Sequence, residues 1–390
     1  MIRRNFISAA AGAVAAAAPS DQISVGLIGA GGRGRYIAQV VGGNPGATIS
    51  AVCDVYEPNL EKGLSEARNQ AKAYRNYKSL LDDKSVQAVI IATPEHWHHR
   101  MLLDALAAGK DVYIEKPLCQ TPEQGVELVE AVKRSKSIVQ VGTQRRSYDL
   151  YVKAREVMQA GTLGTVRMVR CWWLNNMLTP PNRKLQGPLD WEQWQGPAKH
   201  QPVSASRFFD WRFYRDYAGG VMADQGAHVF DGVQMLMGAG YVSAVNASAG
   251  KIHRPDIDTP ETVVVTAEYP EDFIAVFMIN YAAMQYKPVN DQLNQFDGDK
   301  ARLDVGRDGF SVFEKGREEQ AVMQEKSGGT TKASEDHVKN FLECIRSRKP
   351  ATATVEGAFQ AALVTQMANI SLREGRRVRW NNATKRVERA

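Results

Sequence analysis

Asp224 and His228 stand four residues apart in the run Asp224-Gln225-Gly226-Ala227-His228. On a helix that spacing puts both side chains on one face. An imidazole titrating near neutrality suits removal of a hydroxyl proton while the carbon beside it loses hydride. The carboxylate one turn earlier can orient the ring or hold a neighbouring hydroxyl. Lys116, in Glu115-Lys116-Pro117, follows the apolar run Val112 to Ile114 and is stiffened by the proline behind it. A cation there would sit beside a developing oxyanion and lower the hydroxyl's pKa. Each pair also has a plainer reading: an Asp with a His four residues later is often a surface or capping pair, and Glu115-Lys116 an exposed ion pair.

A hydride needs an acceptor, and the turn Gly29-Ala30-Gly31-Gly32-Arg33-Gly34 has the grammar of a dinucleotide site. It follows the strand-like run Ile23 to Ile28 and opens a helix at Arg35 to Val41, the context such a fingerprint requires. Gly29 permits the tight turn, Gly31 lets backbone approach a pyrophosphate, and Gly34 lets the helix pack on the strand. The helix N-terminus offers free N–H donors and partial positive charge. Asp54, 20 residues after Gly34 at the end of the apolar run Thr48 to Val52, can accept from ribose hydroxyls. Its charge favours NAD over NADP, with Arg33 and Arg35 softening the preference.

The elements that must position these groups change character along the chain. From Ser24 to about Gly142, short β-rich runs (Val25 to Ile28, Thr48 to Val52, Ala88 to Ala92, Val112 to Ile114, Ile138 to Val141) alternate with helical segments, which predicts a parallel sheet with helices on both faces. Thr93-Pro94, Glu115-Lys116-Pro117 and Gln144 fall at carboxyl ends of strands, where ligands collect. Beyond Thr143 come a helix at Leu150 to Ala160, a strand at Thr165 to Trp173, and an aromatic irregular stretch from Leu174 to Tyr217. Next are the Asp224/His228 helix, alternating strands (Thr262 to Glu268, Phe273 to Asn280, Ala301 to Val305, Phe310 to Phe313) and closing helices at Ser334 to Ser347 and Val355 to Glu374. The prediction is an α/β Rossmann domain at 21–143 and an α+β domain at 144–390 with a large open, mainly antiparallel sheet.

The 390 residues carry 49 basic and 43 acidic side chains, with 44% hydrophobic residues. Basic residues are scattered, which argues against a nucleic-acid partner. Cys53, Cys119, Cys171 and Cys344 show no C-x-x-C spacing and read as isolated. His96, His98 and His99 surround Trp97 without acidic or cysteine partners at ligand spacing, so no metal is expected. Arg3-Arg4-Asn5-Phe6-Ile7, followed by an Ala-rich stretch to Ala18, resembles a twin-arginine export signal at residues 1–18, implying a periplasmic protein with no membrane association after cleavage. A cytoplasmic chain with two chance arginines is the alternative.

The motifs Ala92-Thr93-Pro94 with His98, Gly109-Lys110 leading to Glu115-Lys116-Pro117, and Asp224-Gln225-Gly226-Ala227-His228 with Asp231 together resemble the Gfo/Idh/MocA oxidoreductases. Asp190-Trp191 to Gly196-Pro197 and Asp210-Trp211-Arg212 are similar to segments of exported bacterial members. The resemblance spans nearly the whole chain after the signal. It implies NAD(P) held between a Rossmann and an open-sheet domain, hydride transfer at a sugar or cyclitol hydroxyl, and homodimers or homotetramers built on the uncovered sheet face. It matches Lys116, Asp224 and His228 to the catalytic positions. It assigns Gly29, Gly31, Gly32, Arg33, Gly34, Asp54, Thr93, Pro94, His98, Glu115, Lys116 and Gln144 to the cofactor.

For substrate, the residues offer Lys116, Asp224 and His228 with Arg145, Arg212 and Trp173, though arginines are as often in solvated salt bridges. Trp172, Trp173, Trp191, Trp194, Trp211 and Tyr214 crowd the irregular stretch; flat rings can bury sugar faces, and about half are expected to be core. Because free NAD is scarce outside the cytoplasm, an exported enzyme of this kind is expected to retain its cofactor through a redox-neutral cycle. The alternatives are a glycosidase that works by transient oxidation and elimination, and a noncatalytic NAD- or sugar-binding protein. Intact Lys116, Asp224 and His228 favour the oxidoreductase.

Overall fold

The computed structural model describes residues 22–67, 70–175, 183–282 and 292–389. The export-signal residues 1–18 lie outside them. Six strands form the first sheet: β1 (Ile23–Ile28), β2 (Ala47–Cys53), β3 (Lys72–Tyr74), β4 (Ala88–Ile91), β5 (Asp111–Ile114) and β6 (Val139–Val141). Their order is β3-β2-β1-β4-β5-β6, parallel throughout. Every residue of β4 and β5 is buried, as strands covered by helices on both faces must be. The order reverses between β1 and β4, and the crevice beyond their carboxyl ends is the natural ligand site.

The second sheet contains β7 (Val166–Leu174), β8 (Ala244–Ala249), β9 (Thr262–Tyr269), β10 (Phe273–Asn280), β11 (Gln292–Gly298), β12 (Ala301–Val305), β13 (Gly309–Glu314), β14 (Met323–Lys326), β15 (Val378–Asn381) and β16 (Arg386–Arg389). The order is β14-β13-β12-β11-β7-β10-β9-β8-β15-β16. It is mainly antiparallel, as expected, but β7 and β10 pair in parallel, with Ile274 opposite Met168. That pairing was not anticipated, because alternation gives a strand's faces and not its direction. Burial alternates along β9 and β10. The inward residues pack under the helices Gly220–Met237 and Val355–Glu374, which also pack on each other. The other face carries Met168, Val264, Ile274 and Met278, each about two-fifths exposed.

The helix Gly329–Ser347 crosses back. Although it lies far beyond residue 143, its Val338, Phe341, Leu342 and Cys344 share a core with Ile23, Val25, Ile37, Ala88 and Tyr113. His337 anchors it, with Nε2 at 2.9 Å from the Val141 carbonyl and its own carbonyl accepting from Gln140 Nε2 at 2.8 Å. The first sheet's hydrophobic core is therefore completed from the chain's far end. The four cysteines are buried thiols.

Candidate active site

Gly29, at φ +89°, makes the turn out of β1, and a side chain there would strike Ala92 backbone. At Gly34 a Cβ would lie 2.0 Å from the Gly29 carbonyl oxygen, so the helix Gly32–Gly42 packs on the turn only because residue 34 lacks one. Gly31 and Gly32 differ, having open space on the side-chain side, and both line a cavity of about 480 Å³. Gly31 caps the helix without a side-chain hydrogen bond, and its first turn holds no acidic residue. The first N–H donors of the helix have no acidic side chain in their own turn, which fits a pyrophosphate.

Asp54 closes the same cavity and is held in place by main-chain donors, with lone pairs left to accept. Its Oδ2 accepts from Ala30 N at 2.7 Å and its Oδ1 from Tyr56 N at 2.8 Å, tying the end of β2 to the glycine turn. Burial pushes its carboxyl up to about 6, against the pull of those N–H bonds. Thr93 and Pro94 line this cavity too, as do Trp97, Asn59 and Lys62, which sequence reasoning did not place. Asn59 and Lys62 carry no motif; their position depends on the helix after β2.

His98 sits behind the loops that carry Thr93 and Lys116. It lines neither cavity. Its Nδ1 lies 2.6 Å from the Pro117 carbonyl oxygen and its Nε2 3.0 Å from that of Thr93, so the buried ring staples the loop after β4 to the loop after β5. Its role is to position the loops that carry Thr93 and Lys116. Glu115 also acts through a neighbour: its Oε1 accepts from Arg33 Nε at 2.8 Å, linking strand end to glycine turn.

A second cavity, of about 520 Å³, shares Arg33, Ala92, Thr93, Phe209, Trp211 and Arg212 with the first and extends it to Lys116, Gln144, Arg145, Trp173, Asp224 and His228. The predicted catalytic and substrate residues thus converge. Asp224 and His228 share the helix Gly220–Met237, but the carboxylate does not reach for the imidazole. Its Oδ1 accepts from Lys116 Nζ at 2.8 Å, and Arg212 Nε lies 3.3 Å from Oδ2. Burial alone would raise the Asp224 pKa; Lys116 and Arg212 outweigh that and hold it below the usual carboxylate value. For His228, burial first and then the charges of Lys116, Arg145 and Arg33 hold the imidazole well below 6.5. The ring is therefore neutral at physiological pH and has a lone pair to accept a proton. Trp173 stacks beside it with centroids 6.4 Å apart.

Of the aromatic group, Trp173 and Trp211 line the second cavity, whereas Trp191 and Trp194 are buried and stacked on each other at 4.7 Å, with Trp194 also at the wall of the first cavity. Tyr214 is likewise core. The segment 183–213 forms the outer wall of the first cavity through Arg183, Phe208, Phe209 and Trp211. It is clasped to the Rossmann layer by a bridge between Tyr56 and Leu189, by Asp190 N donating to Val55 O at 2.9 Å, and by Trp97 Nε1 donating to Trp194 O at 2.8 Å. Among the described residues no three histidine, cysteine or acidic side chains gather as a metal site, and no helix is long and apolar enough to cross a membrane.

Comparison with known proteins agrees with this geometry. The model of the oxidoreductase family with an NAD-binding Rossmann fold matches residues 23–143, and that of the GFO/IDH/MocA C-terminal domain matches 151–304. Inositol 2-dehydrogenase of Serratia proteamaculans is 35% identical over 151 residues, covering 38% of this chain and 45% of its own. Levoglucosan dehydrogenase of Pseudarthrobacter phenanthrenivorans is 28% identical over 235 residues, covering 58% of this chain and 54% of its own. The chain thus spans about half the length of the curated relatives it matches. In fold, it resembles a levoglucosan dehydrogenase solved with NADH and levoglucosan, with a TM-score of 0.75 at 19% identity over 92% of this chain and 99% of that one.

Proposed function

This chain belongs to the Gfo/Idh/MocA oxidoreductase family, and we propose that it transfers hydride to or from a secondary hydroxyl of a sugar, glycoside or cyclitol, with NAD as the preferred cofactor. The observation that carries this reading is the convergence of Lys116, Asp224 and His228 in a cavity that shares six lining residues with the glycine-turn cavity. Relatives whose names are inositol and levoglucosan dehydrogenases support the substrate class.

The residues divide the work. Gly31, Gly32 and the helix start would hold the pyrophosphate, and Asp54 the adenosine ribose, where a 2′-phosphate would meet its carboxylate. When bound, the nicotinamide supplies hydride acceptance and return at the substrate carbon. His228 accepts the hydroxyl proton on a ring nitrogen as the carbonyl forms, and returns it in the reverse direction. Lys116, held by Asp224, places its ammonium beside the hydroxyl oxygen and stabilises the negative charge that grows there. Asp224 is a positioning residue acting through Lys116. His228 and Lys116 are both intact, which favours this reading over a noncatalytic binder.

Tight cofactor retention is part of the proposal: the clasped segment 183–213 walls the cavity, so release requires its contacts to part. Export through the twin-arginine-like segment and a redox-neutral cycle belong with it. Self-association is favoured by the apolar face of Met168, Val264, Ile274 and Met278, which neighbouring strands bring together.

The test is to denature protein purified without added cofactor and assay the supernatant for NAD(H), then follow the nicotinamide absorbance of native protein with sugars, cyclitols and glycosides. About one equivalent released, together with reduction by a sugar, supports the reading. Cofactor-free protein that turns over only with millimolar added NAD removes the retention part. Changing Arg3 and Arg4 to Lys should block export of a fused reporter.

A further inference from the structure

The second cavity is lined by five cationic side chains, Arg33, Lys116, Arg145, Arg212 and Arg307, against three carboxylates, Glu115, Asp210 and Asp224. Each carboxylate is already engaged: Glu115 by Arg33, Asp224 by Lys116 and Arg212, and Asp210 by Arg254 at 3.5 Å. Arg145 stands apart. Its guanidinium donates from Nη2 to the amide oxygen of Gln292 at 2.6 Å and from Nη1 to the carbonyl of His228 at 3.3 Å, both neutral acceptors. It lies 5.2 Å from the Tyr151 ring centroid and 5.8 Å from that of Trp173. Asp231, whose charge it also feels, makes its ion pair with Arg146, at 2.6 Å through Oδ1.

Among the described residues Arg145 makes no ion pair, and a half-buried guanidinium in that state favours an anionic complement. Neutral hydroxyls would not require it. Nor does the cofactor's pyrophosphate explain it, because Arg145 lines the cavity of Lys116 and His228 and is absent from that of Gly31 and Gly32. Close by, the buried indole N–H of Trp173 has no acceptor among the described residues. A planar guanidinium with an additional N–H donor nearby matches a carboxylate, which can accept two parallel bonds. A single guanidinium that makes no ion pair among the described residues matches a monoanion better than a phosphate dianion.

Resting on the dehydrogenase reading for where substrate binds, we propose that the substrate is a sugar acid, a uronate or aldonate, whose carboxylate docks on Arg145. The anion has a second effect. Arg145 is one of the charges that disfavour protonation of His228, so a carboxylate on Arg145 offsets that field. The acidic substrate thereby makes the imidazole a better proton acceptor when it is in place.

The test is a binding titration followed by tryptophan fluorescence, on protein carrying its cofactor. The ligands are D-glucuronate, D-galacturonate, D-mannuronate and D-gluconate, the corresponding neutral amides, D-glucose and glucose 6-phosphate. The variants are Arg145→Met and Arg145→Lys, each checked for an unchanged thermal melt. At least one acid should bind tenfold or more tighter than its amide, the preference should vanish in Arg145→Met, and Arg145→Lys should restore part of it. Equal binding of acid and amide, a preference that survives Arg145→Met, tightest binding by glucose 6-phosphate, or no binding by any acid would each overturn the proposal. Nicotinamide absorbance is read in the same cuvettes. An acid that binds through Arg145 without changing it leaves this subsite standing and defeats the dehydrogenase reading instead.

Discussion

Lys116 Nζ donates to both the carboxylate of Asp224, at 2.8 Å, and its backbone carbonyl, at 2.9 Å, joining the loop after β5 to a helix 108 residues later. Both side chains are largely buried. The pair therefore ties the loop after β5 to the helix Gly220–Met237 at the second cavity, and it fixes the ammonium in place there.

Replacing Lys116 by Met should lower kcat by about a hundredfold or more through loss of oxyanion stabilisation. The stability cost should stay below the roughly 3–5 kcal/mol of breaking a buried pair, because Arg212 still faces Asp224. Steady-state kinetics with a urea melt on the same sample separates the two effects.

His228→Asn should lose turnover by roughly a hundredfold or more while keeping cofactor. In the wild type, the acid limb of kcat/KM should fall below pH 6.5, since burial and three neighbouring cations hold the imidazole pKa down. A limb centred at or above 6.5 would contradict a buried neutral base.

Gly32→Ala and Gly34→Ala should part company. The first adds a methyl to open space and should leave stability nearly unchanged while weakening NAD binding. The second drives a methyl into the Gly29 carbonyl and should destabilise the fold by about 1–3 kcal/mol or more. Calorimetric NAD titration and thermal melts read these outcomes.

Glu95 gives a pH signature. Burial raises its carboxyl to about 8, opposed by the Gly219 N–H. Because the folded value exceeds the unfolded one near 4.5, its contribution is fully present below 4.5 and is lost as pH rises through 8. Between pH 7 and 8, above the windows of Asp54 and the lowered histidines, unfolding should release about one proton, and stability should fall by roughly 1 kcal/mol. Glu95→Gln should flatten this slope in denaturant melts.

Ile274→Glu, opposite Met168 on the exposed sheet face, should lower the sedimentation mass of an assembled protein with little change in its melt, because the residue is 40% exposed in the single chain. An unchanged mass would place the contact elsewhere.

The parts of the fold read from sequence were those set by local chemistry. The glycine turn, the strand ends bearing Thr93 and Lys116, and the alternation of β9 and β10 follow from sterics and burial within a few residues. The Asp224–His228 spacing reads as one helix face, and both groups line one cavity. What the spacing could not give was their partners: the carboxylate turns to Lys116, because the nearest strong charge is set by tertiary packing and not by the helix. The contacts of His98 are hidden for the same reason, since both are with backbone carbonyls that leave no mark in composition. Gln292, which holds Arg145, carries no motif at all. The parallel pairing of β7 with β10 depends on chain path, and a stacked pair such as Trp191 and Trp194 looks in sequence like any sugar platform.

The return of the helix Gly329–Ser347 to the first core has a practical consequence for anyone dividing this protein. The nucleotide-binding half is not a contiguous piece of the gene. A fragment ending at residue 143 would expose the faces of Ile37, Val41 and Tyr113 that Val338 and Phe341 cover, and would be expected to aggregate. A chimera or split reporter should carry 329–351 along with 22–143, or graft the whole intervening part as an insert between them.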